Sequence, residues 1–532
     1  MLKTKWIDGH ERGDRSRRRP VRRLGAALVG AVLLTSCAVN PVTGEREVAL
    51  VSTERQIALG EENYRPAQQM QGGLYQVDPG VTAYVREVGN RLAAASGVKL
   101  PYEFVVLNSS VPNAWALPGG KLAVNRGLLT ELDNEAELAA VLGHEIVHAA
   151  GRHGAQAMER GMLAQAVLLG VAIGTSRSEY GQVMVGGAAA AAGLLNQRYG
   201  RDAEREADQY GTRYLANAGY DPMAAATLQE TFVRLSEGKE SSWLEGLFAS
   251  HPPSSERVAN NRRLAEELRA QGLAGKEIGK ARYESAIARL REDAPAYAAA
   301  DEARKALGKD ELEKAEGLVR KAIALQGREP TFHGLLGDLQ RKQRDFGTAI
   351  ESYDAAIARD PEYFAYYLGR GLARKNQGDR ALARADFDRS VKLLPTAIAY
   401  NELGRMAEAE GDVDQALRLF EAASKSDSQA GQAARASAMR LDLPRNPGRY
   451  LKARVERDAR GRLVLGVNNP TDVAVGDVTV RIETLDNQGR AREGTRRFQR
   501  LAPGATEWVV LMQDATALSD ARAGVVAARI LQ

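Results

Sequence analysis

Between residue 297 and about residue 430 the sequence repeats itself. Ala315, Ala349, Ala383 and Ala416 recur at spacings of 34, 34 and 33 residues, and each is followed four positions later by a larger apolar residue: Val319, Tyr353, Phe387 and Phe420. Gly337, Gly371 and Gly404 stand twelve residues before the last three alanines, and Pro361 and Pro395 close two of the units. Small residues at fixed positions let two helices approach closely, and a period of about 34 residues corresponds to one helix pair stacked on the next. A single pair cannot bury its apolar face alone, so consecutive pairs must stack. This stretch is expected to form an all-α solenoid of about four units, the first degenerate, whose concave face would bind a protein partner rather than carry out catalysis.

The rest of the chain must fold separately. At 532 residues the sequence exceeds one ordinary core, and length alone suggests about three or four domains. The net charge of +5 is concentrated at the start. Nine of the 73 Lys/Arg and three of the 68 Asp/Glu fall in residues 1–36, leaving 64 basic against 65 acidic residues elsewhere. A nucleic-acid binder carries its positive charge on the folded part, so no nucleic-acid partner is expected. The basic start runs into an apolar stretch at residues 24–34 and then Thr35, Ser36 and Cys37. That is the order of a secretory signal, and it is too short for a spanning helix. Leu34 to Cys37 resembles the lipobox of bacterial lipoproteins. The resemblance implies loss of a signal peptide (residues 1–36) and acylation of Cys37, the only cysteine; several acyl chains anchor stably where one does not. Ala38, in place of Asp, implies by the same resemblance an outer-membrane anchor facing the periplasm.

Within an expected domain of residues 37–285, the chain from about residue 50 mixes helical periodicity with one clear β segment. Residues 102–108 read as a strand, and two short runs, residues 114–117 and 121–125, flank the turn signal Pro118, Gly119, Gly120. From Asn134 the pattern becomes helical, with Asn134 and Glu137 as a capping box and Gly151 and Gly154 at the far end. Two apolar stretches, residues 162–174 and 183–195, are shorter than the roughly 20 residues a spanning helix needs and are expected to pack as a helical hairpin or lid. Beyond the repeats (residues 293–436), residues 446–532 hold short β-prone runs at 449–455, 462–468, 478–484 and 507–511, the pattern of a small all-β sandwich.

The chemistry lies in the HExxH motif that runs from His144 to His148. On a helix, positions i and i+4 share a face, so both imidazoles can reach one zinc ion, with Glu145 placed as general base. A peptidase site needs a third protein ligand and one open position for water. Glu204 is the candidate ligand, and Asp208, one turn further on, can support a ligand histidine. Glu206 falls off that face and is expected to be solvated, while His153 is expected to be structural.

These residues, with Asn113, Ala114 and the Pro118 turn upstream and His251, Pro252 and Arg257 downstream, resemble the HtpX/BepA type of zinc metallopeptidase (peptidase family M-48), in its lipoprotein form with C-terminal tetratricopeptide repeats. The likeness covers residues ~45 to 265 and the repeats but not the β module. Gly200 stands where many relatives carry Ser. The resemblance implies an α+β, gluzincin-like metalloprotease domain holding one Zn2+, and an endopeptidase acting on unfolded or stalled envelope proteins. It further implies a substrate strand paired along Asn113, Ala114, Trp115 and Ala116, and His251 as a regulatory fourth ligand that closes the zinc at rest. The competing expectation is a tetratricopeptide chaperone or scaffold with an idle or structural zinc site.

Overall fold

The computed structural model describes residues 37–167, 187–195, 199–238, 251–486, 491–512 and 518–531. The expected signal peptide, and residues 168–174 and 183–186 of the two apolar stretches, fall outside these residues. Among the described residues no helix is long and apolar enough to cross a membrane. The described residues divide into two compact units: those within 37–65, 78–167 and 194–292 form the first, and those within 66–77, 187–193 and 293–531 the second.

The first unit opens with a two-stranded ribbon, β1 (Cys37–Val39) and β2 (Arg46–Val48), followed by helix α1 (Thr53–Met70), of which residues up to Arg65 belong to this unit, and by α2 (Pro79–Ser96). A three-stranded sheet follows in the order β3-β5-β4, with β3 (Glu103–Leu107) parallel and β4 (Ala114–Leu117) antiparallel to the central β5 (Lys121–Asn125). The β4–β5 turn depends on Gly119 and Gly120, at φ 82° and 91°, a region L side chains enter only with strain. After the short α3 (Arg126–Glu131) comes α4 (Glu135–Ala150), in which every residue but His144 is buried. A helix apolar nearly all round belongs at the centre of a domain. Here α4 is packed by α2, by β4 and by the later helices α5 (His153–Val167), α7 (Arg201–Asn217) and α8 (Ala224–Gly238); α6 spans Gly187–Leu195 and α9 spans Ser255–Ala270.

In the second unit four helix pairs run from Ala294–Gly308 to Val413–Ala423, followed by a ninth helix, Gln429–Asp442. Ala315, Ala349, Ala383 and Ala416 are all buried. The spaced glycines have a direct packing reason. A Cβ at Gly337, Gly371 or Gly404 would lie 2.9, 2.8 and 2.7 Å from the rings of Tyr353, Phe387 and Phe420, so the ring of the second helix rests on the bare backbone of the first. The segment Pro66–Val77 belongs to this unit. Gln69 donates to Glu362 O (2.8 Å) and accepts from Phe364 N–H (2.9 Å), Arg328 donates to Val77 O (2.6 Å), and Met70 packs against the apolar cluster of Phe364, Tyr367, Leu393 and Leu394.

The C-terminal part holds two three-stranded antiparallel sheets, β10-β7-β6 and β11-β8-β9. They are built from β6 (Lys452–Arg457), β7 (Leu463–Asn468), β8 (Val475–Asp486), β9 (Ala491–Leu501), β10 (Thr506–Met512) and β11 (Leu518–Ile530). Leu465 and Val467 of one sheet share an apolar cluster with Val478, Val480 and Phe498 of the other. Strands β9 and β11 are missing from the expectation drawn from the sequence. Only Phe498 and Leu501 of β9 are buried, so the strand shows no apolar alternation, and β11 is rich in alanine, a weak strand former.

Candidate metal centre

Helix α4 is pinned at its start. Asn134 caps it by accepting from Glu137 N–H (3.0 Å), while the Glu137 carboxylate reaches back to Asp133 N–H (2.9 Å), one residue earlier than a simple capping box requires. Glu135, fully buried, accepts from the hydroxyls of Tyr84 and Tyr220, each at 2.7 Å. At its far end Gly151 is not left-handed; Arg152 is, at φ 62°, held by a buried pair with Glu159 (3.0 Å), by Glu47 and by a bond to Val51 O (3.0 Å).

Two glycines bring the second helix to α4. A Cβ on Gly143 would lie 3.1 Å from Gly211 O, and one on Gly211 would lie 3.0 Å from His144 N, so α4 and α7 approach with nothing between their backbones. That contact faces Glu204 and Asp208 toward the two histidines. His148 Nε2 stands 3.0 Å from His144 Nε2 and 3.3 Å from Glu204 Oε1, and His144 Nε2 is 3.6 Å from Glu204 Oε2. His251 completes the group, with its Nδ1 2.9 Å from Glu204 Oε1 and 3.2 Å from His144 Nε2. One nitrogen or oxygen from each of His144, His148, Glu204 and His251 lies within 4.8 Å of the others, a set able to hold a metal ion.

The surroundings set the charge of each group. Complete burial keeps His148 well below the usual histidine range, helped by His144 and His251 and opposed by Glu204. Burial also disfavours a charge on His251, but the Glu204 and Glu145 carboxylates outweigh it and raise its value. Glu204 is pushed up by burial yet held far below the carboxylate range by His251, His148 and His144. Asp208 is held low against its own burial by Arg257 and His144; Arg257 donates twice to it, each at 2.7 Å, and Asp208 Oδ1 lies 3.1 Å from His144 Nδ1. Arg257 also stands 2.9 Å from Glu204 Oε2 and donates to Pro252 O (3.2 Å). Glu145 is buried, with Oε1 3.6 Å from His251 Nε2 and Oε2 without a hydrogen-bond partner. A cavity of about 30 Å³ lined by Val141, Glu145, Leu228, Gln229 and Phe232 adjoins it, and a wider one of about 690 Å³ is lined by Glu204, Asp208, Ser254 and Leu264 among others.

Strand β4 is one of the two outer strands of its sheet, and Ala114, Trp115 and Ala116 are buried. The Asn113 carbonyl is taken by Asn125 N–H (2.8 Å), while Asn113 Oδ1 and Trp115 Nε1 are buried without partners. Cys37 opens β1, with its backbone opposite Val48.

One expectation needs correction, that for Glu206. His153, expected to be structural, is buried with its Nδ1 2.8 Å from His148 Nδ1. Glu206 is not solvated: its side chain is 23% exposed, it stands 3.3 Å from His153 Nε2, and it accepts from Asn40 Nδ2 (3.4 Å). Helical periodicity does not bring His153 and Glu206 together, because the helix stops at Ala150 and the left-handed Arg152 turns the chain back. Tyr199, also missed, stacks on the His148 ring at 3.9 Å and 20°.

A helix bearing HExxH that faces a glutamate on a second helix is the arrangement of the metallopeptidases. Residues 79–265 match the model of peptidase family M48, and residues 300–364, 335–398 and 368–431 match a tetratricopeptide repeat model. Over 235 residues the chain is 32% identical to the beta-barrel assembly-enhancing protease of Escherichia coli (strain K12), covering 40% of this chain and 48% of that protein. It is 32% identical over 204 residues to metalloprotease YcaL of the same strain (36% and 76% covered). It is 32% identical over 235 residues to the mitochondrial metalloendopeptidase OMA1 of Schizosaccharomyces pombe (43% and 66%). The chain belongs to peptidase family M48. It spans about half the length of the first curated relatives it matches.

Proposed function

We propose that the chain is a zinc-dependent endopeptidase of the bacterial cell envelope that cleaves misfolded or stalled proteins, with His144, His148 and Glu204 as metal ligands and Glu145 as general base. The observation that carries this is the convergence of the donor atoms. A tetrahedral zinc with bonds near 2.0–2.1 Å has donor–donor edges of about 3.3–3.4 Å; His144 Nε2 lies 3.0 Å from His148 Nε2 and 3.2 Å from His251 Nδ1, Glu204 Oε1 lies 3.3 Å from His148 Nε2 and 2.9 Å from His251 Nδ1, and one donor atom from each of the four lies within 4.8 Å of the others. Zinc held there supplies an acidified water and a polarised carbonyl. Around it the protein's own groups have definite tasks. Glu145, whose Oε2 has no partner, takes a proton there and returns it to the departing amine. Asp208 holds the His144 ring through Nδ1, and Arg257 holds Asp208 and Glu204 in place. The outer position of β4 suits main-chain pairing with an extended substrate along Asn113, Ala114, Trp115 and Ala116, a mode with little sequence demand. The domain limits that accompany this reading are residues 37–285 for a gluzincin-like protease, 293–436 for a repeat surface that binds a protein partner, and 446–532 for a β-sandwich. An acylated Cys37 would anchor the chain to the outer membrane.

A second reading has its own support. With His251 in the fourth position the donor set is that of a closed, structural site, as a scaffold protein would carry. The two readings part on His251→Ala and Glu145→Gln, assayed on an unfolded envelope protein with metal content verified. Under the protease reading His251→Ala raises basal cleavage, and Glu145→Gln lowers turnover by at least about a hundredfold. Cleavage undiminished by Glu145→Gln would refute it.

A further inference from the structure

We propose that His153, backed by Glu206, is a positioning residue that fixes His148 in the tautomer and ring orientation a metal ligand needs. The inference rests on the metal reading above and adds a chain of groups behind it. His148 directs Nε2 at the cluster, 3.0 Å from His144 Nε2 and 3.3 Å from Glu204 Oε1, so its lone pair for a metal is on Nε2 and its hydrogen is on Nδ1. That Nδ1 lies 2.8 Å from His153 Nδ1. Two facing ring nitrogens hydrogen-bond only when one carries a hydrogen and the other does not. His148 therefore donates, His153 Nδ1 accepts, and the hydrogen of a neutral His153 sits on Nε2. That atom is 3.3 Å from Glu206 Oε1, close enough for charge attraction though not aligned as a hydrogen bond. Glu206 in turn accepts from Asn40 Nδ2 at 3.4 Å.

The hydrogen between the two rings thus points from His148 to His153, and Glu206 stands behind His153 at 3.3 Å. The row is enclosed: His153 is 2% and Asn40 4% exposed, and Tyr199 covers one face of the His148 ring. Gly151 leaves room for it, since a Cβ there would come 3.0 Å from Glu206 Oε1 and 3.1 Å from His153 Nε2. A histidine that only filled space would need no carboxylate behind it. Ligand histidines held through their second nitrogen typically lose 10–100-fold in metal affinity when that partner is removed.

The test is zinc affinity of the full chain, measured by competition with a chelator of known affinity, alongside the thermal midpoint of the metal-free protein. His153→Phe is expected to weaken zinc binding by about 10–100-fold. His153→Gln, which keeps an acceptor oxygen, should recover part of that loss. Glu206→Gln, which leaves every ligand and His153 in place, should weaken binding severalfold with the metal-free midpoint unchanged. Nitrogen NMR of the imidazoles in the metal-free chain should show His153 hydrogenated on Nε2, which gives a reading even if His153→Phe folds poorly. Binding within twofold of the parent in both His153→Phe and Glu206→Gln, or His153 hydrogenated on Nδ1, would overturn the proposal while leaving the metal reading intact. A parent chain that binds no zinc would overturn both.

Discussion

Replacing Arg257 by Met should destabilise the first unit, and the cost can be worked from its contacts. The guanidinium is 11% exposed and neutralises two carboxylates that are themselves 8% and 11% exposed, Glu204 at 2.9 Å and Asp208 through two bonds of 2.7 Å. Met fills similar volume, so the main loss is the pairing rather than the packing. Removing one partner of a buried ion pair costs about 3–5 kcal/mol, because the remaining charge stays buried without compensation. For a unit of this size each kcal/mol moves the midpoint by about 2–4 °C, so the first thermal transition of the metal-free chain should fall by about 6–20 °C. Adding Asp208→Asn removes the charge left stranded, so the double variant should lose less than the sum of the two single changes. The assay is differential scanning calorimetry of parent, single and double variants in chelator. A shift below about 2 °C for Arg257→Met, or strictly additive losses, would refute the reasoning.

Acid should act on the same carboxylates. Glu204 and Asp208 titrate below their unfolded values, so the stability they confer is present above pH ~4 and is lost as pH falls through their lowered folded values. The midpoint of the metal-free chain should therefore drop steeply below pH ~4, and Asp208→Asn should flatten that slope; an unchanged slope would count against the assignment. In the repeats, Gly371→Val would drive a side chain into Phe387, whose ring lies 2.8 Å from the position of the new Cβ. Overpacking of this kind costs about 1–3 kcal/mol and should lower the second unit's transition while zinc affinity stays at the parent value; an unshifted transition would mean the ring moves aside.

Much of this organisation can be read from residue spacing because the determining contacts are local or periodic. The repeat register follows from one small residue meeting one ring, pairs such as Gly404 and Phe420 sixteen residues apart, and helix α4 announces itself through Asn134, Glu137 and the i,i+4 histidines. The pairing of Glu204 with those histidines is a contact between distant segments, inferred from motif chemistry and placed in space by Gly143 against Gly211. What escaped the sequence had no periodic signal. His153 and Glu206 meet only because Arg152 adopts a left-handed backbone, a single-residue event that no spacing rule marks. Strand β9 is almost wholly exposed and charged, so it pairs through its backbone without an apolar face to betray it.

The segment Pro66–Val77 has a practical corollary. Although it lies more than 200 residues ahead of the repeats, its backbone and side chains close hydrogen bonds with Glu362, Phe364 and Arg328, as an added piece of the stack would. A gene fragment beginning at residue 293 would lack that piece and leave Phe364 and Tyr367 uncovered on one flank, prone to self-association. Dissecting this polypeptide by expression of halves calls for supplying the dodecapeptide back, as a fused or separate strip, rather than cutting where the reading frame suggests a border.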